Sequence, residues 1–315
     1  MLIDDRVMNG QERISFRLRS LYSDYGYERY RMSKFEEYDL YSRNKDFLFS
    51  EGVITFTDTN GRLMALKPDV TLSIVKNRKD TPGELQKLYY HENVYRVSAA
   101  ADGFREQTQV GLECMGEVDS ACIAEVLKLA AESLRLCSSQ FVLEVSHVGI
   151  LSAFVDAIAP DEAVREELLR CAGQKNLHGI SRVCRDSGLA EGAEDALKQL
   201  LSLYGVPRTV MPRIRELAEE YGAGGMAAQL GQAVAGFAGS DIGDRIQIDF
   251  SATGDLKYYT GIAFKGFISG IPGSVLSGGQ YDALMKKMGR KDRAIGFAVF
   301  LDMLERLTEE EDSRA

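Results

Sequence analysis

The chain has 315 residues, 45% of them hydrophobic and 27% charged. That supports one large domain or two modest ones, and no apolar run approaches the ~18 residues of a membrane span. A formal net charge of −9 argues against sequence-independent binding of nucleic acid, which depends on Lys and Arg clustered at phosphates.

The opening, MLIDDRVMNGQER, carries charges where a secretory signal has an apolar stretch, so a cytoplasmic protein is expected. From Gln11 to Tyr25, the residues Ile14, Leu18, Leu21, Tyr22 and Tyr25 recur at helical spacing, and Gly26 supplies a stop. Branched and aromatic residues alternate from Val53 to Leu66 around Asn60-Gly61, a pair that favours a type I′ hairpin. Leu85 to Arg96 and Gln107 to Met115 read as two more strands, joined by a small, flexible loop at Ala99 to Gly103. Asp119 and Ser120 then precede a strong helix former, Ala121 to Cys137.

Between residues 152 and 236 the pattern is helical and strand signals vanish. Strand signals return at Arg245 to Phe250 and Gly261 to Phe267, and a last helix near Ala294 to Leu307 precedes an acidic tail. The expected architecture is an α+β core, residues 1–151 and 237–315, built on an antiparallel sheet grown by hairpins. A helical insertion at 152–236 interrupts it.

Cys114, Cys122, Cys137, Cys171 and Cys184 contain no CxxC pair, and His91, His147 and His178 form no HExxH. Buried free thiols are expected, with no metal and no cofactor. A tRNA partner would need a basic patch. Lys286 to Arg293, with five basic residues in eight positions, is the one candidate, and it reads as a solvated turn. Leu276-Ser277-Gly278-Gly279-Gln280 spells the ABC-ATPase signature, but the GxxxxGK[ST] loop that would cradle phosphates is absent from the sequence. Gly222, Gly224 and Gly225 follow no strand and read as a turn between helices.

A series of polar residues stands near strand ends: Asp69, Thr71, Arg96, Gln109, Glu113, Tyr258, Tyr259 and Tyr281. Gln109 and Glu113 are an even number of residues apart, so one face of a strand presents both. A carboxylate beside an amide suits a ligand with ammonium or imidazole donors. Spacing alone fits the wet face of an antiparallel sheet better.

These residues also carry a resemblance. Leu66-Lys67-Pro68-Asp69-Val70-Thr71, Val94-Tyr95-Arg96, Phe104-Arg105-Glu106 with Gln109 and Glu113, Leu256-Lys257-Tyr258-Tyr259-Thr260-Gly261, Gly278-Gly279-Gln280-Tyr281-Asp282 and Gly296-Phe297-Ala298 resemble, in order, the landmarks of histidyl-tRNA synthetases. The match spans about residues 11 to 307 and implies the class II aminoacyl-tRNA-synthetase fold. It also implies that Asp69, Thr71 and Gln109 hold the α-ammonium of histidine. Glu113 and Tyr259 would address its imidazole, and Tyr281 would line the pocket. Asp69 stands where the family has the longer Glu.

Departures from the family pattern point away from catalysis. Arg96 matches the arginine that grips the α-phosphate, but Ser98 replaces a glutamate that contacts adenine. Gly254 stands where the family's catalytic arginine precedes the Tyr-Tyr pair, and Asp302-Met303 replaces Glu-Arg at the γ-phosphate. Losing one placed charge stabiliser costs ~10²- to 10³-fold in rate, so the loss of two makes adenylation negligible. With the final motif so near the last residue given, the family's anticodon-binding domain is expected to be absent.

That combination resembles the regulatory subunits of short-form ATP phosphoribosyltransferases, which serve the first step of histidine biosynthesis beside a separate catalytic subunit. The resemblance implies a hetero-oligomer with that subunit and histidine as a ligand. It also implies a homodimeric core through the N-terminal helix and strand, although Met32 and Ser33 stand near the place of the family's interface proline. A divergent amino-acid-activating ligase and a free-standing histidine sensor are the competing readings.

Overall fold

Asn9 opens the first helix, α1 (Gly10–Asp24), with a capping box. Its Oδ1 accepts from Glu12 N and Glu12 Oε2 accepts from Asn9 N, both at 2.9 Å. The computed structural model describes residues 8–48, 52–78, 83–98, 103–250 and 258–305. Short elements follow α1: β1 (Glu28–Arg29), β2 (Phe35–Glu37), α2 (Tyr38–Arg43), β3 (Thr55–Thr57), β4 (Leu63–Leu66) and α3 (Thr71–Asn77). Two long strands, β5 (Gln86–Ser98) and β6 (Gly103–Gly116), then pair antiparallel along their whole length. Residues 99–102 of the expected loop between them lie outside the described residues.

Asp119 caps α4 (Ser120–Cys137), its Oδ1 accepting from Cys122 N at 2.8 Å. After β7 (Phe141–His147) come α5 (Val148–Ile158), α6 (Glu162–Gly173), α7 (Leu177–Asp186), α8 (Glu191–Ser202), β8 (Tyr204–Gly205), α9 (Pro207–Glu220) and α10 (Gly224–Val234). The chain returns to the sheet through β9 (Ile246–Asp249), β10 (Ile262–Ile268), β11 (Leu276–Gln280), α11 (Asp282–Lys287) and β12 (Arg293–Phe300). The order across the nine-stranded sheet is β1-β5-β6-β12-β11-β10-β7-β9-β8. It is mostly antiparallel, with parallel pairs at β1/β5 and β7/β9.

Side chains alternate between the two faces of this sheet. Leu112, Cys114, Phe297, Phe264 and Val145 point into a core shared with Leu18 and Tyr22 of α1 and Val126, Ala130 and Leu134 of α4. The same core continues into the helices after β7 through Leu168, Leu197, Ile214 and Leu230. Among the described residues no helix is long and apolar enough to cross a membrane. All five cysteines are free; four are buried and Cys122 is partly exposed.

Several expectations need correction. Asn60-Gly61 does join two strands, but only Gly61 is left-handed, at φ +78°. Asp58 decides the turn: its Oδ1 accepts from Asn60 N and Arg62 N at 2.8 Å, and Gly61 N donates to Asp58 O at 3.1 Å. The result is a type I turn with a glycine bulge. That hairpin joins β2 in a separate three-stranded sheet instead of extending the main one.

The helix expected from Ala294 is instead β12, with a 3-10 turn at Leu301–Leu304. Ala-Ile-Gly-Phe-Ala-Val-Phe is a short apolar run without clear periodicity, which suits a strand buried between β11 and β6 as well as it suits a helix. The strands β7, β8 and β11 carried no separate expectation, and β8 falls inside the run taken as wholly helical. The Lys286 to Arg293 cluster is partly structural: the Arg290 guanidinium donates to the Val75 and Lys76 carbonyls at 3.2 and 3.1 Å, near the end of α3.

Candidate functional site

Opposite the helical core, the alternating side chains of β6, β12, β11 and β10 form the floor of a cavity of about 190 Å³. All eight residues singled out in the sequence, Asp69, Thr71, Arg96, Gln109, Glu113, Tyr258, Tyr259 and Tyr281, line it. The volume exceeds the roughly 150 Å³ that accommodates benzene in a protein interior. Small residues keep the floor low. A side chain on Gly296 would collide with Glu113 Oε2, and one on Gly111 with the Tyr90 hydroxyl.

Each polar wall is placed by a particular element. Gln109 and Glu113 share one face of β6, as their even spacing predicts, and both are buried. Asp69 precedes α3 and accepts from Leu72 N at 2.8 Å, which presents Thr71 from the helix's first turn. Thr71 Oγ1 donates to Glu113 Oε1 at 2.6 Å, and the Tyr281 hydroxyl donates to Oε2 at 2.5 Å. Arg96 on β5 donates through Nε to Pro68 O at 3.2 Å. The rings of Tyr258 and Tyr259 meet edge-on, with centroids 5.0 Å apart, and Tyr258 lies 6.0 Å from Tyr281.

Burial dominates the electrostatics of the pocket. Burial pushes the Glu113 carboxyl from 4.5 up to about 8, Asp69 adds to the rise, and the bonds from Thr71 and Tyr281 oppose it. Burial also raises Asp69, against the pull of the Leu72 amide and Arg96. Burial lowers Arg96, while Asp69 raises it. Both carboxyls are therefore held above their usual ranges, and a further positive group in the pocket would favour their ionised forms. Gln109 Nε2 is buried without a hydrogen-bond partner among the described residues, and such an orphan calls for a ligand or a water. No group of three or more His, Cys, Asp or Glu among the described residues is placed to hold a metal.

Tyr90, Lys265, Ser274, Ser277 and Phe300 also line the cavity and were missed in the sequence. Lys265 had a signal: it is the lone charge in the apolar strand Ile262–Ile268. Ser277 was hidden inside the dismissed Leu-Ser-Gly-Gly-Gln string, which is β11.

The positions expected to have lost catalytic arginines divide in two. Gly254 lies outside the described residues. Met303 packs against the hydrophobic core, and Asp302 Oδ2 accepts from Thr108 N at 3.1 Å, so this pair fastens the 3-10 turn to β6.

Residues 4–304 match the family model for histidyl-tRNA synthetase. An ATP phosphoribosyltransferase regulatory subunit of Clostridium acetobutylicum is 30% identical over 304 residues, covering 91% of this chain and 72% of that one. The crystal structure of an ATP phosphoribosyltransferase regulatory subunit/histidyl-tRNA synthetase from Bacillus halodurans C superposes with a TM-score of 0.82 at 25% identity, over 94% of this chain and 78% of that one. A chain of the ATP phosphoribosyl transferase (HisG:HisZ) complex from Thermotoga maritima shares the fold, with a TM-score of 0.70 at 18% identity over 92% and 97% of the two chains. The chain thus belongs to the histidyl-tRNA-synthetase family and, within it, to the ATP phosphoribosyltransferase regulatory subunits.

Proposed function

We propose that this cytoplasmic chain binds a separate short-form ATP phosphoribosyltransferase catalytic subunit, raises its activity, and loses that effect when histidine fills the pocket. The observation that carries the reading is an amino-acid-sized cavity walled by Glu113, Asp69 and four tyrosines, while Met303 is committed to the core. Asp69, Thr71 and Gln109 hold the ammonium. Glu113 and Tyr259 take the imidazole, whose N–H donors meet a carboxylate and a hydroxyl. Tyr258 and Tyr281 close the walls, and Arg96 balances Asp69.

Histidine can oppose activation only by binding more tightly to one state of the complex than to the other. A homodimeric core through α1 and β1 belongs to the same reading. It is supported by Phe16, which stays 44% exposed on α1, and by β1 at the edge of the sheet. The test is to mix the purified chain with a short-form catalytic subunit, run size exclusion, and assay the chain alone for histidine-dependent pyrophosphate exchange with ATP. Co-elution with no exchange is expected. Separate elution with exchange near ~1 s⁻¹, an ordinary enzymatic rate, would replace this reading with that of a ligase.

A further inference from the structure

Lys265 is a cation without an obvious task. It sits mid-strand in β10 between the buried Phe264 and Gly266, and its own side chain reaches the cavity. Glu144 faces it across the β7/β10 pair and feels its charge, yet no ion pair within 4 Å joins the two among the described residues. A charge carried into a pocket in this way needs water or a counter-ion.

The strand register fixes where it stands. Lys265 pairs with Ser277, Ser277 with Ala298, and Ala298 with Gly111, which makes one row across the floor. The neighbouring row is Ala263, Gly279, Gly296 and Glu113. The two rows are two residues apart along the strands, about 7 Å. The floor positions between Lys265 and Glu113 carry only small side chains, with the Tyr259 ring lying over Gly279 and the Tyr90 hydroxyl over Gly111, so a ligand that spans both rows passes beside these tyrosines. Ser277 Oγ, 3.5 Å from the Tyr259 hydroxyl, stands between the ends.

Once a cationic ligand group ionises Glu113, Asp69 and Glu113 oppose Arg96 and Lys265 among the lining residues, a distribution that matches a bound zwitterion; a polyphosphate would call for a larger excess of cations.

We infer that Lys265 and Ser277, with the unpartnered Gln109 amide lining the same cavity, form an anion subsite that takes the α-carboxylate of the bound amino acid. A free carboxylate then becomes a condition for binding. This rests on the reading of the pocket as an amino-acid site and adds how that site tells an amino acid from its carboxylate-free analogues.

Calorimetry on the full chain tests it with two probes, L-histidine and the amino alcohol in which CH2OH replaces the carboxylate. The parent should bind the alcohol about 10- to 100-fold more weakly, the range for losing a charge-assisted hydrogen bond. Lys265→Met should weaken histidine by a similar factor and leave the alcohol unchanged, while Lys265→Arg should keep most of the histidine affinity.

Parental histidine affinity in Lys265→Met, or equal losses for both probes, overturns the subsite. Glu113→Gln separates the two ideas: if it weakens both probes while Lys265→Met changes neither, the amino-acid site stands and the carboxylate subsite falls. A parent that binds neither probe overturns both. Loss of inorganic phosphate binding in Lys265→Met, with histidine unaffected, overturns the carboxylate assignment.

Discussion

Glu113 should make the unliganded chain less stable as the pH rises. Its carboxyl titrates near 8 in the fold against 4.5 as a free side chain, mainly because it is buried. A folded pKa above the unfolded one means that the native state holds the proton more tightly. The stabilisation is therefore complete below about 4.5 and is lost as the pH climbs through about 8. At ~1.36 kcal/mol per pH unit, the loss between pH 5 and 9 is on the order of 3–4 kcal/mol.

Glu113→Gln keeps the shape and removes the titration. Urea unfolding of parent and variant at pH 5.5 and 8.5 reads the difference directly. The parent should fall relative to the variant by a few kcal/mol, and a saturating cationic ligand should reduce that fall by supplying the counter-charge. Parallel pH profiles for the two proteins would refute the reasoning, because Glu113 would then be ionised at no cost in the fold.

Gly296→Ala should cost about 1–3 kcal/mol by overpacking and should also weaken histidine binding, because the new methyl displaces the Glu113 carboxylate. Calorimetry and urea unfolding on the same sample check both effects. Asp119→Ala should lower stability by about 0.5–2 kcal/mol through loss of the α4 cap and leave ligand affinity unchanged. An affinity change in that variant would mean that α4 communicates with the pocket on the opposite face of the sheet.

The parts of the fold legible in the sequence were those with local causes. The capped helix at Ser120–Cys137 and the long β5/β6 pair follow from propensity, caps and alternation. What the sequence hid depends on partners far along the chain. Val145 of β7 lies beside Ile248 of β9 only after the intervening helices have folded back, so no local pattern announces a parallel pair. The β12 run is apolar on both faces because β12 lies within the sheet, with helices on one side and the pocket glycines on the other.

The site divides in the same way. Even spacing placed Gln109 and Glu113 on one face, and the resemblance brought in Asp69, Thr71 and the tyrosines. Lys265 and Ser277 come to share a cavity floor with Glu113 only through the register of four strands.

The central claim is that this chain regulates a partner through its pocket. The most direct measurement follows the condensation of ATP with phosphoribosyl pyrophosphate by a short-form catalytic subunit, alone, with this chain, and with this chain plus histidine. Glu113→Gln is run in parallel. The chain should raise the rate and histidine should reverse the rise, with the reversal shifted to higher histidine concentration in Glu113→Gln by about 5- to 150-fold. A rate unchanged by the chain at micromolar concentrations, or a histidine response identical in the parent and Glu113→Gln, would contradict the account.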